Sequence, residues 1–385
     1  VKLGSHHLAY CTNIHPAETW TETDAALRSH VLKVRDRLRE QELLDDDAPF
    51  AIGLRLSAIA AAELLEGDHL ARFKDWLAET NTYVFTINGF PYGNFHGTRV
   101  KERVFQPDWS SPARVEYTKN LFRILAVIAE RDRGASVSTL PGSHKSFAAD
   151  EAVMLRNLSE FGNWLDALAH QTGHDFHLGM EPEPLGHFEN TPETLAFFER
   201  LQAVSKNPDV IRRRIGVNYD ACHFALQFEG AAASLDALHR AGLRLSKVHL
   251  SSALAFSPDD TAALTAIRAF DEPVYFHQVL VKDTADLVHR FRDLPDFLES
   301  GASYPGAEAR VHFHIPLDRE PQPPLRSTRR HAVGTLAWCR AHPDACKHFE
   351  IETYTWAVLP DGLRRPVDEQ IAAEYRWVLE QTATP

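Results

Sequence analysis

The sequence predicts an α/β protein, a single (β/α)8 TIM barrel with a long insertion between its seventh and eighth strands. Three observations lead there. Eight short apolar runs alternate with amphipathic stretches along the 385 residues, the pattern of a parallel sheet with helical crossovers. Four of the runs end in a carboxylate or an imidazole, as strands do whose carboxyl ends deliver side chains to a barrel mouth. Within those four, polar residues fall on one parity and apolar residues on the other, so each strand turns one polar face inward.

The expected strands are residues 8–14, 50–56, 84–90, 135–140, 176–182, 215–221, 246–251 and 348–354. Between them, residues 25–42, 68–79, 117–132, 151–171 and 231–241 carry apolar side chains at helical spacing. Thr191-Pro192-Glu193 reads as a helix start, with a capping hydroxyl ahead of a proline at the first helical position. A last helix over 368–381 closes the ring. Residues 253–347 are too many for one crossover helix and contain two more strand-like runs, 274–281 and 311–317. We expect them to form an insertion over the carboxyl-terminal mouth, inside one domain spanning 1–385, because loops on that face carry the functional elaborations of such barrels. The rival count makes 311–317 the eighth barrel strand.

Composition narrows the function classes. With 44% hydrophobic and 24% charged residues the chain matches an ordinary soluble globule. No apolar run approaches the roughly 20 residues of a membrane span, so no transmembrane segment is expected. A net charge of −12 without any segregated basic block disfavours polyanions, and no nucleic-acid partner is expected. The four cysteines make no C-x-x-C pair and no disulfide framework, and the first residues carry no export signal, which fits a reducing cytoplasm. Walker and strand-linked G-x-G-x-x-G phosphate loops are absent. Oligomeric state leaves no mark on the sequence.

The four strand tips are Glu181, Asp220, His249 and Glu352. Glu183 shares the parity of Glu181, Asn218 that of Asp220, Lys247 and Ser251 that of His249, and His348 and Glu350 that of Glu352. A single carboxylate at a strand end more often caps a helix than binds a ligand. Four tips that agree are another matter, because like charges converging at one mouth repel unless a cation or shared protons offset the cost. Oxygen-rich ligands with an imidazole suit one divalent ion, Mn²⁺, Zn²⁺ or Co²⁺, better than Mg²⁺. Arg55, flanked by apolar neighbours, is a candidate to point up the lumen at a substrate oxygen, and Phe90, Tyr92, Tyr354 and Trp356 follow strand ends where a ring or polyol can stack.

The order Glu, then D-x-x-H, then His, then a late Glu resembles the xylose-isomerase-like superfamily of barrels, over nearly the whole chain. Asp220-Ala221-Cys222-His223 is similar to its D-T-C-H element, and His314-Ile315-Pro316 to its H-I-P element. Four motifs resemble more narrowly the EboE branch of metabolite traffic proteins: Cys11-Thr12-Asn13-Ile14-His15-Pro16, Asn88-Gly89-Phe90-Pro91-Tyr92-Gly93, Val311-His312-Phe313-His314-Ile315-Pro316 and Ile351-Glu352-Thr353-Tyr354-Thr355-Trp356. The resemblance implies that Glu181, Asp220, His249 and Glu352 bind one metal while Glu181 and Glu352 move protons on opposite faces of a ketose, sugar phosphate or cyclitol. His223, His314, His312, Asn88, Arg55 and Trp356 are then substrate contacts or supports for the ligands. Ser251-Ser252-Ala253 stands where the epimerases place an acidic or amide residue and an arginine. Leu140 in Leu140-Pro141-Gly142-Ser143-His144 and Asn88 replace two histidine ligands of the apurinic endonucleases, so a three-metal cluster is not expected. Three functions follow in order: an isomerase or epimerase working by enediolate proton transfer, a metabolite-binding protein without turnover, and an endonuclease-like nuclease.

Overall fold

In a computed structural model, which describes residues 2–4, 6–94, 96 and 99–383, the apolar runs form strands with both faces buried. They are β1 (His6–Tyr10), β2 (Phe50–Arg55), β3 (Thr82–Asn88), β4 (Ala135–Thr139), β5 (Phe176–Met180), β6 (Ile215–Asp220) and β7 (Leu245–Leu250). Five shorter strands follow, β8 (Leu254–Phe256), β9 (Val279–Lys282), β10 (Val288–Phe291), β11 (Glu308–Val311) and β12 (Arg326–Ser327), before β13 (His348–Ile351). The barrel order is β1, β13, β7, β6, β5, β4, β3, β2 with every pair parallel. A parallel bridge from Cys11 to Gly53 joins the two ends, so the eight strands form a nearly closed (β/α)8 barrel. The two-residue strand Lys2–Leu3 pairs antiparallel with β1.

The outer ring arises where the periodicity predicts it. Its helices include Pro112–Ile128, Glu151–Thr172, Thr191–Val204, Ala231–Arg240 and Val367–Ala383. The stretch expected over 25–42 begins earlier, at Trp20, with a capping box between Thr19 and Glu22, and passes through a π turn at Leu27–Val31 into Leu32–Glu40. One cap differs from expectation. Asn190, not Thr191, accepts the Glu193 amide, and Thr191 is the first helical residue, its hydroxyl being taken by Glu229. No helix among the described residues is long and apolar enough to cross a membrane.

The segment 253–347 holds β8 to β12, which form a separate antiparallel sheet in the order β10, β9, β11, β8, β12. It also holds the helix Arg330–Ala341, which packs on Ala231–Arg240 in the outer ring. The run 311–317 is not the eighth barrel strand: only Val311 is in a strand, at the end of β11, and β13 occupies the barrel position. The run 274–281 becomes a strand only from Val279. The run 8–14 stops at Tyr10, after which Thr12–Ile14 turns as a 3₁₀ segment across the mouth.

Apolar side chains on the outer parity pack beneath the helices, while the lumen is polar well below its rim. Thr86, Ser136, Ser138, Lys247 and Glu350 have no solvent exposure. Ser136 donates to Thr86 at 2.8 Å, and Lys247 Nζ donates to Ser138 at 3.1 Å and pairs with Glu350. Gly53 makes room for this layer. A Cβ there meets Glu350 Oε1 at 2.0 Å and the Tyr10 carbonyl at 2.5 Å. Gly53→Ala is therefore expected to cost about 3 kcal/mol or more in urea unfolding, since one neighbour is backbone and cannot rotate away.

Glu374 on the last helix accepts the Leu317 amide at 3.0 Å and the Thr353 hydroxyl at 2.7 Å. Burial pushes its carboxyl up to about 7, against those hydrogen bonds. The fold thus favours the protonated acid, so its contribution is complete below the unfolded value near 4.5 and is lost as pH rises towards 7. Glu374→Gln should flatten the fall in Tm between those pH values, with a stability difference on the order of 3 kcal/mol above pH 7. Parallel curves for the two proteins would remove this assignment.

Candidate metal centre

Four polar tips meet because neighbouring strands hold them at one height. Asp220 ends β6 and lies opposite His249 of β7, which lies opposite Glu350 of β13. Glu181 and Glu352 each come one residue after a strand, and their amides continue the ladder to Thr139 and Leu250. The ligand atoms of Glu181, Asp220, His249 and Glu352 all lie within 4.8 Å of one another, and all four side chains are buried. His249 Nδ1 stands 2.9 Å from Glu352 Oε2, 3.2 Å from Glu181 Oε1 and 3.5 Å from Asp220 Oδ2.

The surrounding chain orients each of them. Asn218 donates to Glu181 Oε2 at 2.8 Å, while Asn13 and Asn88 donate to Glu352 Oε1 at 2.8 and 3.2 Å. Asp220 caps the helix Ala221–Leu226, its Oδ1 accepting the Cys222 and His223 amides and the Ser251 hydroxyl. Its Oδ2, fully buried, accepts no hydrogen bond among the described residues. His249 Nε2 reaches Glu350 Oε2 at 3.1 Å, and Glu350 is paired with Lys247. A carboxylate behind an imidazole fixes the ring and leaves the other nitrogen for the mouth.

Electrostatics follows from this crowding. Burial opposes charge on His249, but Glu352 and Glu181 outweigh it and raise the imidazole well above its ordinary value. Burial likewise opposes ionisation of Asp220, yet the imidazoles of His223, His314 and His249 hold it well below the carboxylate range. Three carboxylates around one imidazole, with a bare Asp220 oxygen, suit a divalent cation, which would take the place of the shared proton. The residues present fit that group.

Beyond Asp220 lies a second polar group. His223 Nδ1 donates to the Pro182 carbonyl at 2.8 Å and turns Nε2 towards Glu183 Oε2 at 3.3 Å, His312 Nε2 at 3.1 Å and His314 Nε2 at 3.4 Å. His314 is held through Nδ1 to the Glu352 carbonyl at 3.0 Å. Burial lowers His223 to about 4 and takes His312 well below its ordinary value. Burial, then Glu181 and Asp220, raises Glu183 well above the carboxylate range. His223, His312 and Asn88 line the cleft above the four-residue group together with Asn13, Glu183 and Tyr275.

Arg55 and Trp356 are not brought to the group. The Arg55 guanidinium is taken by the Ala17 and Gly93 carbonyls and by Glu18, and Trp356 donates to the Arg365 carbonyl. Asn13, Glu350, Tyr275 and Phe276 were not singled out from sequence. Asn13 carried a signal, since it lies in the motif after β1, and Glu350 shares the parity of Glu352. Tyr275 and Phe276 carried none. Cys222 is buried, and that burial raises its thiol well above the usual value, which disfavours a thiolate.

No protein-family model matches the chain. No curated protein matches it either. Similar solved structures include the probable 3-DHS dehydratase AsbF from Bacillus anthracis, 11% identical over 97% of this chain and 98% of that one, with a TM-score of 0.48. A xylose isomerase domain protein from Alicyclobacillus acidocaldarius is 12% identical over 98% of both chains, TM-score 0.47. The 3-keto-D-glucoside 4-epimerase YcjR from E. coli is 13% identical over 63% of this chain and 85% of that one, TM-score 0.36. At this level none of them lends its chemistry to this chain.

Asp220→Asn separates cap from ligand, because asparagine caps equally well but brings no charge. The wild type should gain about 3 °C in Tm at a hundredfold excess of Mn²⁺ or Zn²⁺ over Kd. The variant should keep the metal-free Tm within a few degrees and lose that gain. An equal gain in both would place the ion elsewhere.

Proposed function

We propose that the protein is a metal-dependent isomerase or epimerase of a small polyhydroxylated metabolite, a ketose, a sugar phosphate or a cyclitol, working by enediolate proton transfer. The observation that carries this reading is the convergence of Glu181, Asp220, His249 and Glu352 on one buried point. On the motifs quoted above we place the chain beside the EboE branch of the xylose-isomerase-like barrels. Glu181, Asp220, His249 and Glu352 would hold one divalent ion, Mn²⁺, Zn²⁺ or Co²⁺, which when bound would supply positive charge to polarise a carbonyl and acidify the neighbouring C–H.

The chain's own residues do the rest. Glu181 and Glu352 both line the cleft and come from β5 and β13, with β6 and β7 between them, which lets them flank a ligand from two sides. Each has one oxygen held by asparagine side chains and the other turned to His249 Nδ1, at the point where the four side chains converge. One carboxylate removes the carbon-bound proton and the second returns it, on the opposite face for an epimerisation. Glu183, His223 and His312 line the same cleft and offer hydrogen bonds to hydroxyl groups. His249 stays in place through Glu350 and takes no part in proton transfer.

The test is solvent-deuterium incorporation into substrate. Glu181→Gln and Glu352→Gln should each lower it by about 10² or more while the fold survives, and His223→Ala should weaken it less. A metal-loaded wild type that exchanges no proton across ketoses, sugar phosphates and cyclitols would overturn the enzymatic reading and favour binding without turnover.

A further inference from the structure

The cleft above the candidate metal centre is polar at its floor and aromatic on its wall. Asn13, Asn88, Glu181, Glu183, His223 and Glu352 form the floor. Phe90, Val100, Val104, Phe105, Phe276 and Tyr354 form much of the rest. The rings are in register with one another: Phe90 meets Phe105 at 5.4 Å between centroids, Phe105 meets His144 at 4.9 Å, and His144 stacks on Phe276 at 6.2 Å. Such a wall offers mainly dispersion and apolar burial, with the Tyr354 hydroxyl as its polar group.

Charge is as telling as shape. Among the described residues, the one Lys or Arg side chain lining the cleft is Lys101. It is committed to an ion pair with Asp293, and both are largely buried. Asp293 in turn holds the His277 and Leu294 amides at 3.0 Å each, so freeing Lys101 would leave a buried carboxylate short of its cation. Glu181, Glu183 and Glu352 contribute carboxyl groups to the same space. A phosphate dianion at the floor would meet carboxyl groups, and the Arg292 guanidinium, over the outer wall at 5.5 Å from the Phe276 ring centre, faces Asp296 at 3.7 Å.

We propose that the cleft takes an uncharged ligand with two unlike ends, an α-hydroxycarbonyl or vicinal diol at the floor and an apolar, ring-bearing substituent against the aromatic wall. This rests on the metal-centre reading given above and narrows its substrate class, setting phosphorylated sugars aside. The selectivity comes from the wall, while the floor recognises the hydroxycarbonyl head that all candidates share.

Three probes carry the same head: hydroxyacetone, dihydroxyacetone phosphate and 2-hydroxyacetophenone. Their Kd values are measured by calorimetry on the full chain, with Mn²⁺ and without it, and Mn²⁺ binding is titrated separately. The phenyl ketone should bind at least tenfold more tightly than hydroxyacetone, and the phosphate ester more weakly than either. Phe276→Ala, at a half-buried ring, should cost the phenyl ketone about tenfold and hydroxyacetone less than twofold. Phe105→Leu, which keeps apolar volume, should show the same split. Tightest binding by the phosphate ester, or an equal loss of both neutral ketones in the variants, would overturn the proposal. Absence of Mn²⁺ binding would overturn the metal reading alone if the phenyl preference persists in metal-free protein, and both if it does not.

Discussion

His249 is held between two opposite demands, and the rest of the molecule depends on how they are met. Its Nδ1 faces Glu181, Asp220 and Glu352, while its Nε2 faces Glu350. The ring has no solvent exposure, so every charge near it must be balanced inside the protein. Lys247 performs that balance from below. It pairs with Glu350, which keeps the lower carboxylate ionised and aimed at the imidazole. The upper carboxylates meet the imidazole's second nitrogen, the amides of Asn218, Asn13 and Asn88, and the Ser251 hydroxyl.

The barrel makes such a column possible. Side chains two apart on a strand share a face, so Lys247 sits one layer below His249, and Glu350 one layer below Glu352. Cross-strand register then pairs Glu350 with His249 and His249 with Asp220. A shift of one residue in β7 or β13 would bury Val248 or Ile351 in the lumen and send the charges outwards under the helices. Register is therefore enforced by the same polar layer that the register creates.

This explains what was legible in the sequence. Parity is a local property, and it correctly put Glu181, Asp220, His249 and Glu352 on inward faces. Strand ends are less legible: 8–14 runs past Tyr10 because no glycine or proline marks the break before Thr12–Ile14, which turns. Arg55 lies at the end of β2 and shares a face with Gly53, but carbonyls from Ala17 and Gly93, remote in sequence, consume its guanidinium. Partnerships set by register, such as Glu350 with His249, cannot be read from one strand alone. Tyr275 and Phe276 were beyond reach, because an irregular segment before β9 places them and no period marks it.

Asp220 shows why a cap and a candidate ligand are not competing explanations. Its Oδ1 accepts two amides of the turn that opens Ala221–Leu226, together with the Ser251 hydroxyl, and this leaves the carboxylate no rotational freedom. The second oxygen is thereby aimed at the mouth without spending a separate support on it. The same turn fixes His223, whose Nδ1 is bound to the Pro182 carbonyl beside Glu181. Its Nε2 then has one direction open, towards Glu183, His312 and His314. A short capped helix at the end of β6 thus sets the orientation of the carboxylate in one polar group and of the imidazole at the centre of the next, so a change in either side chain is felt across both.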